Sequence, residues 1–71
     1  MWIVYSEIFD DCLPERYFYG SFDDRNKANE IAEKLNQQND TRTNIDRVFY
    51  GVCNYKDAVA IEVQELPPDL H

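Results

Sequence analysis

Histidine, cysteine, glycine and basic residues are all scarce in this 71-residue chain, and each scarcity removes a class of chemistry. The single histidine, His71, is the last residue, where chains tend to fray, so Ser6, Ser21, Thr41 and Thr43 lack an imidazole base to activate them. The two glycines, Gly20 and Gly51, lie too far apart to write a Walker or dinucleotide-binding loop. Cys12 and Cys53 are far outside C-x-x-C spacing and have no histidine nearby in sequence. Structural zinc would therefore want for ligands, and neither thiol has a visible activating cation, so they read as free, half-buried thiols packed as small hydrophobes. Seven basic residues against fourteen acids leave no basic stripe for a phosphate lattice, so direct nucleic-acid binding is not expected. The opening apolar run is short, lacks a basic flank and meets acids at once, unlike a secretory leader. The expectation is a cytoplasmic chain with no membrane segment, in which the Asn39-Asp40-Thr41 sequon goes unused.

Length sets the next bound. A chain this short makes one domain, whose single core rarely supplies more than about 3–5 kcal/mol. Residues 1–66 are expected to form that domain, with 67–71 a short C-terminal tail after Pro67-Pro68 stops the last element. Most large side chains are needed to close the core, so a walled catalytic cleft is not expected. Neither an enzyme nor a cofactor is foreseen.

Aromatics and acid are what the chain does have. Trp2, four phenylalanines and five tyrosines make up 14% of it. A tyrosine can pack its ring and keep its hydroxyl wet, which serves both a small core and a protein interface. The formal net charge is −7, and residues 1–24 supply most of it through Glu7, Asp10, Asp11, Glu15, Asp23 and Asp24 against Arg16 alone.

One short phrase occurs twice, as Arg16-Tyr17-Phe18-Tyr19-Gly20 and as Arg47-Val48-Phe49-Tyr50-Gly51. Each copy is strand-like and ends on a glycine, which suits a strand that bends or is closely approached. Two copies are too few for a repeat architecture, so shared strand composition is the preferred explanation. Were the copies to pair side by side, Phe18 and Phe49 would share one face, and Tyr17, Tyr19, Val48 and Tyr50 the other.

Trp2 to Phe9 alternates between two apolar sets, as in a strand covered on both faces. Residues Asp10 to Glu15 supply turn formers and a proline, and Arg16 to Phe22 resumes strand composition, predicting a hairpin with a long acidic loop. Asp23 is the expected N-cap of a helix over roughly Asp24 to Gln37, with Ala28, Ile31, Ala32 and Leu35 on its packing face and a Glu30–Lys34 pair outside. Asn36 to Asn44 is polar throughout and reads as a loop. Ile45 to Cys53 is expected to be a third strand, Asn54 to Asp57 a turn, and Ala58 to Leu66 a fourth strand by its alternation. The fold class is therefore α+β: an antiparallel sheet of three to four strands, in the order β-β-α-β-β, with one helix packed on one face. The expected core is Val4, Phe18, Phe22, Ala28, Ile31, Ala32, Leu35, Phe49, Val59, Ile61 and Val63.

The passage Gly20-Ser21-Phe22-Asp23-Asp24-Arg25-Asn26-Lys27-Ala28 resembles the G-x-F-S-S-x-E-K-A passage of small uncharacterised bacterial and phage proteins. These run strand, strand, capped helix, then one or two closing strands. The resemblance covers residues 2–35 and departs at Asp23, Asp24 and Asn26. It implies a strand feeding a capped helix in a small accessory protein, and it carries no catalytic residues with it.

The carboxylates of the first third invite two readings. As a cation site they lack the ligand spacing of a calcium loop, and a metal-dependent enzyme built on Asp10 to Glu15 has no further support. As a surface they could steer the chain onto a basic groove, with exposed tyrosines completing the contact. The candidate partner-binding residues are accordingly Glu7, Asp10, Asp11, Glu15, Tyr17, Tyr19, Asp23, Asp24, Tyr50 and Tyr55. The expected partner is another protein with a basic surface, one that handles nucleic acid, and the expected role is that of a phage or mobile-element protein that inhibits or modulates it. The alternative is a structural protein forming a homodimer through a sheet edge or a tyrosine face.

Overall fold

Alternation of β-branched and aromatic residues sets the three strands of the sheet. The computed structural model describes residues 1–9, 14–38 and 47–68, without the side chains of Phe9 and Arg47. Strands β1 (Trp2–Phe9), β2 (Glu15–Phe22) and β3 (Arg47–Asn54) form an antiparallel sheet in the order β2-β1-β3. The helices are α1 (Arg25–Gln38) and α2 (Tyr55–Ala60). The two copies of the repeated phrase flank β1 and do not pair with each other.

Strand β1 is central, and its first half is covered on both faces. Ile3, at zero exposure, packs with Ala58 and Val63 on one face, and Tyr5, Phe18, Cys53, Tyr55, Ile61 and Leu66 close around them. Val4, also at zero exposure, packs with Ala28 and Ala32 on the other, bordered by Trp2, Phe22, Leu35, Tyr50 and Val52. Small alanines let α1 lie close to the sheet. Asp24, rather than Asp23, caps that helix, its Oδ1 accepting from the Asn26 amide at 2.9 Å. The Lys34–Glu30 pair forms across one turn at 3.9 Å.

The expected turn at Asn54 to Asp57 and fourth strand at Ala58 to Leu66 are replaced by α2 and the segment after it. Asn54 caps α2 by accepting the Asp57 amide on its side-chain oxygen at 2.8 Å. Tyr55, Ala58 and Ile61 then fall three apart on the buried side. This spacing defeats the period of two, and it leaves Val59 turned outward at 54% exposure. The helix ends in a Schellman motif: the Glu62 amide donates to the Val59 carbonyl at 3.1 Å and the Val63 amide to the Ala58 carbonyl at 3.0 Å. Glu62 stands at the left-handed position with φ 58°, where glycine is the usual residue. The order is thus β-β-α-β-α, and each sheet face carries a helix.

Two expected core residues, Val59 and Phe49, are exposed at 54% and 53%, while Ile3, absent from that expectation, is fully buried. The expected strand residues Ile45 and Asp46 lie outside the described residues, as do the polar positions after Gln38 as far as Asn44.

Candidate protein-binding face

The register fixes which side chains share the α1 side of the sheet. They are Trp2, Val4, Ser6 and Ile8 of β1, their partners Phe22, Gly20, Tyr17 and Glu15 of β2, and Asn54, Val52, Tyr50 and Val48 of β3. The apolar cluster under α1 takes in Trp2, Val4, Phe22, Val52 and Tyr50. Ser6, Ile8, Glu15, Tyr17 and Val48 lie beyond it, and among the described residues no helix packs on that half of the face.

A β-bulge marks the border between the two halves. The β1–β2 register shifts between Val4, opposite Gly20, and Tyr5, opposite Phe18, so Tyr19 has no partner across the ladder. Such an extra residue kinks the strand and re-aims its own side chain. Tyr19 leans across β1 to meet Tyr50 edge to face, with ring centroids 5.8 Å apart and planes at 82°. The pair is worth about 0.5–1.5 kcal/mol beyond its buried area. Tyr19 nevertheless remains 52% exposed. Beside it the Tyr17 hydroxyl donates to Glu15 Oε2 at 2.8 Å. That bond favours the neutral phenol and raises its pKa above the ordinary tyrosine value.

Tyr17 and Tyr50 therefore flank Ser6, with Tyr19 against Tyr50 and Glu15, opposite Ile8, bonded to Tyr17. The other candidates are not with them. Glu7 is on the opposite face, paired with Arg16 at 3.2 Å, and Arg16 also reaches the Ile61 carbonyl at 3.4 Å. Tyr55 is on that face too, its hydroxyl donating to the Pro67 carbonyl at 3.1 Å. Asp23 and Asp24 follow the far end of β2, about 20 Å of strand from Tyr17. Asp10 and Asp11, with Cys12, lie outside the described residues.

Sequence reasoning missed the bulge and the role of Asn36, which it placed both in the last turn of the helix and at the start of the polar loop. Asn36 belongs to α1 and acts as a strand partner for β3: its Nδ2 donates to the Tyr50 carbonyl at 3.1 Å and its Oδ1 accepts the Tyr50 amide at 2.8 Å. On the other edge Gln64 forms a parallel bridge with β2, its carbonyl accepting the Phe18 amide at 2.9 Å and its amide donating to the Arg16 carbonyl at 2.8 Å. Both edges are thus engaged near mid-strand, one of the ways sheets avoid adding further strands.

Cys53 is half-buried and free, and burial raises its thiol pKa, with Asp57 adding to the rise. Burial likewise raises Tyr5. A thiol so placed is a packing residue rather than a nucleophile. Among the described residues no group of three or more His, Cys, Asp or Glu side chains is placed to hold a metal, and no helix is long and apolar enough to cross a membrane. No protein-family model, curated protein or solved structure matches the chain.

Proposed function

We propose that this protein is an acidic binding module that engages a protein with a basic surface through the α1-side face that carries Glu15, Tyr17, Tyr19 and Tyr50. The contact of exposed Tyr19 with half-buried Tyr50, at the border of the cluster under α1, carries this reading. Aromatic rings held in place by packing supply contact area at small entropic cost, and a net charge of −7 steers a basic partner toward them. Within this reading the chain is an accessory protein of a phage or mobile element that inhibits or modulates a nucleic-acid-handling host protein. The resemblance at Gly20 to Ala28 and the acidic balance support that narrower role.

The test is capture from a bacterial lysate at low and high salt, with the parent and with a variant carrying Glu15→Gln and Tyr19→Ala. The reading expects a basic protein that the parent retains at low salt and releases at high salt, and that the variant misses. Equal capture by both, or capture indifferent to salt, overturns it.

A second reading, a homodimer through the same face, is favoured by the same tyrosine pair, of which Tyr19 is exposed. Engagement of both edges by Asn36 and Gln64 weighs against edge-to-edge pairing, so a dimer would join face to face. Sedimentation that rises with concentration in the parent and not in Tyr19→Ala would support this alternative.

A further inference from the structure

We infer that residues 62–66 form a strap that opens as a unit, hinged at Glu62, while the sheet and α1 stay folded. The strap lies on the α2 side of the sheet, and its opening is independent of the binding reading above. Its backbone is the first support. Glu62 and Glu65 both take left-handed conformations, with φ of 58° and 63°, and they bracket Val63 and Gln64. A residue with a Cβ is disfavoured there, and an extended backbone removes the penalty. The closed strap is therefore bent at two residues that each gain by straightening.

The way the strap is held is the second support. Among the described residues after α2, Val63 alone is buried, packing with Ile3 and Ala58, while Glu62, Gln64 and Glu65 are exposed. Gln64 makes a one-residue parallel bridge to β2, its amide donating to the Arg16 carbonyl and its carbonyl accepting the Phe18 amide. The Arg16 guanidinium, anchored on Glu7, donates to the Ile61 carbonyl just before the hinge, and the Tyr55 hydroxyl donates to the Pro67 carbonyl just after the strap. The sheet keeps a framework of its own. Strand β1 pairs along its length with β2 and β3, and α1 covers the other face. Opening thus gives up one buried valine and one bridge, against relief at two backbone positions and the freedom of the released residues. It uncovers Ile3 on the side where Val63 packs and bares the edge of β2 at the Arg16 carbonyl and the Phe18 amide.

Native-state hydrogen exchange of the full chain, read amide by amide at low urea concentrations, tests the strap. Relative to their intrinsic rates, the Val63, Gln64 and Phe18 amides should exchange through one shared opening, faster than the β1–β3 ladder by about ten-fold or more. Their dependence on urea should be shallower than the ladder's, because less surface is exposed. Glu62→Gly should slow all three about two- to five-fold by removing the hinge strain, whereas Glu62→Val, β-branched at the left-handed position, should speed them. Equal rates and equal urea dependence for strap and ladder would overturn the inference, because the two would then be one cooperative unit. Strap rates unmoved by both substitutions would overturn it as well.

Discussion

Adding one methyl group to each copy of the repeated phrase should have opposite results. At Gly51 a Cβ would sit 2.5 Å from the Tyr5 hydroxyl oxygen and 2.6 Å from its Cζ, well inside van der Waals contact. Tyr5 faces Gly51 in the register and packs against the Ile3, Ala58 and Val63 cluster, so its ring cannot withdraw without opening that core. At Gly20 the nearest atom to a new Cβ is Phe22 Cε2 at 3.5 Å, an ordinary contact. Neither glycine has positive φ, so the difference is one of space and not of backbone strain. Overpacking by a methylene costs about 1–3 kcal/mol, and replacing glycine by alanine recovers about 0.4–1 kcal/mol from the unfolded chain. Gly51→Ala should therefore lose about 1–2 kcal/mol, a large part of a core worth about 3–5 kcal/mol, whereas Gly20→Ala should stay within about 0.5 kcal/mol of the parent. Urea unfolding followed by Trp2 fluorescence measures both, and Tyr5→Leu placed with Gly51→Ala should recover part of the loss by clearing the ring. Equal stability of the two alanine variants would refute the reasoning.

Other substitutions probe the remaining elements. Asn36→Ala removes both bonds to Tyr50 and should cost about 1–2 kcal/mol, with faster hydrogen exchange at the Tyr50 amide; unchanged exchange would contradict the edge contact. Glu62→Gly should stabilise by about 0.5–1 kcal/mol, since glycine takes the left-handed position without penalty, and a lower urea midpoint would argue against the Schellman ending. Ile3→Ala should cost about 2–5 kcal/mol while Val59→Lys changes little; reversed effects would restore the strand reading of that segment. Tyr5 and Cys53 both ionise above their ordinary values when folded, because burial disfavours their anions. Their contribution is whole below the unfolded thiol pKa of about 8.5 and is lost as pH rises through the raised folded values, so the urea midpoint should fall above about pH 8.5 and Cys53→Ala should delay that fall. A midpoint flat through pH 10 would contradict the burial of both groups.

Local patterns with a single physical meaning were readable in the chain. Alternating apolar residues in Trp2 to Phe9 mark a strand covered on both faces, and the spacing of Ala28, Ile31, Ala32 and Leu35 marks α1 to within a residue at each end. The segment after Asn54 was ambiguous because it satisfies two periods at once. Ala58 to Glu65 alternates as a strand would, yet Tyr55, Ala58 and Ile61 are three apart, and the Asn54 cap with Asp57 decides for a helix. Its ending was hidden because a glutamate, not a glycine, occupies the left-handed position. The site was legible in its residue types but not in its assembly. Glu15, Tyr17, Tyr19 and Tyr50 were all named, but which acids join them depends on strand order and on a bulge whose extra residue, Tyr19, looks like any other strand residue. Glu7 faces the other way by strand parity and pairs there with Arg16, nine positions distant, which only the β1–β2 register brings beside it.

The central claim is that a partner protein is met by the tyrosine face on the α1 side. Amide and tyrosine-ring spectra of isotope-labelled protein, recorded alone and in an unlabelled bacterial lysate at low and high salt, test it most directly. Line broadening should be concentrated at Ser6, Ile8, Glu15, Tyr17, Tyr19 and Tyr50 and should reverse at high salt. Broadening centred instead on Glu7, Tyr55 and Val63, or spectra indifferent to the lysate, would contradict it.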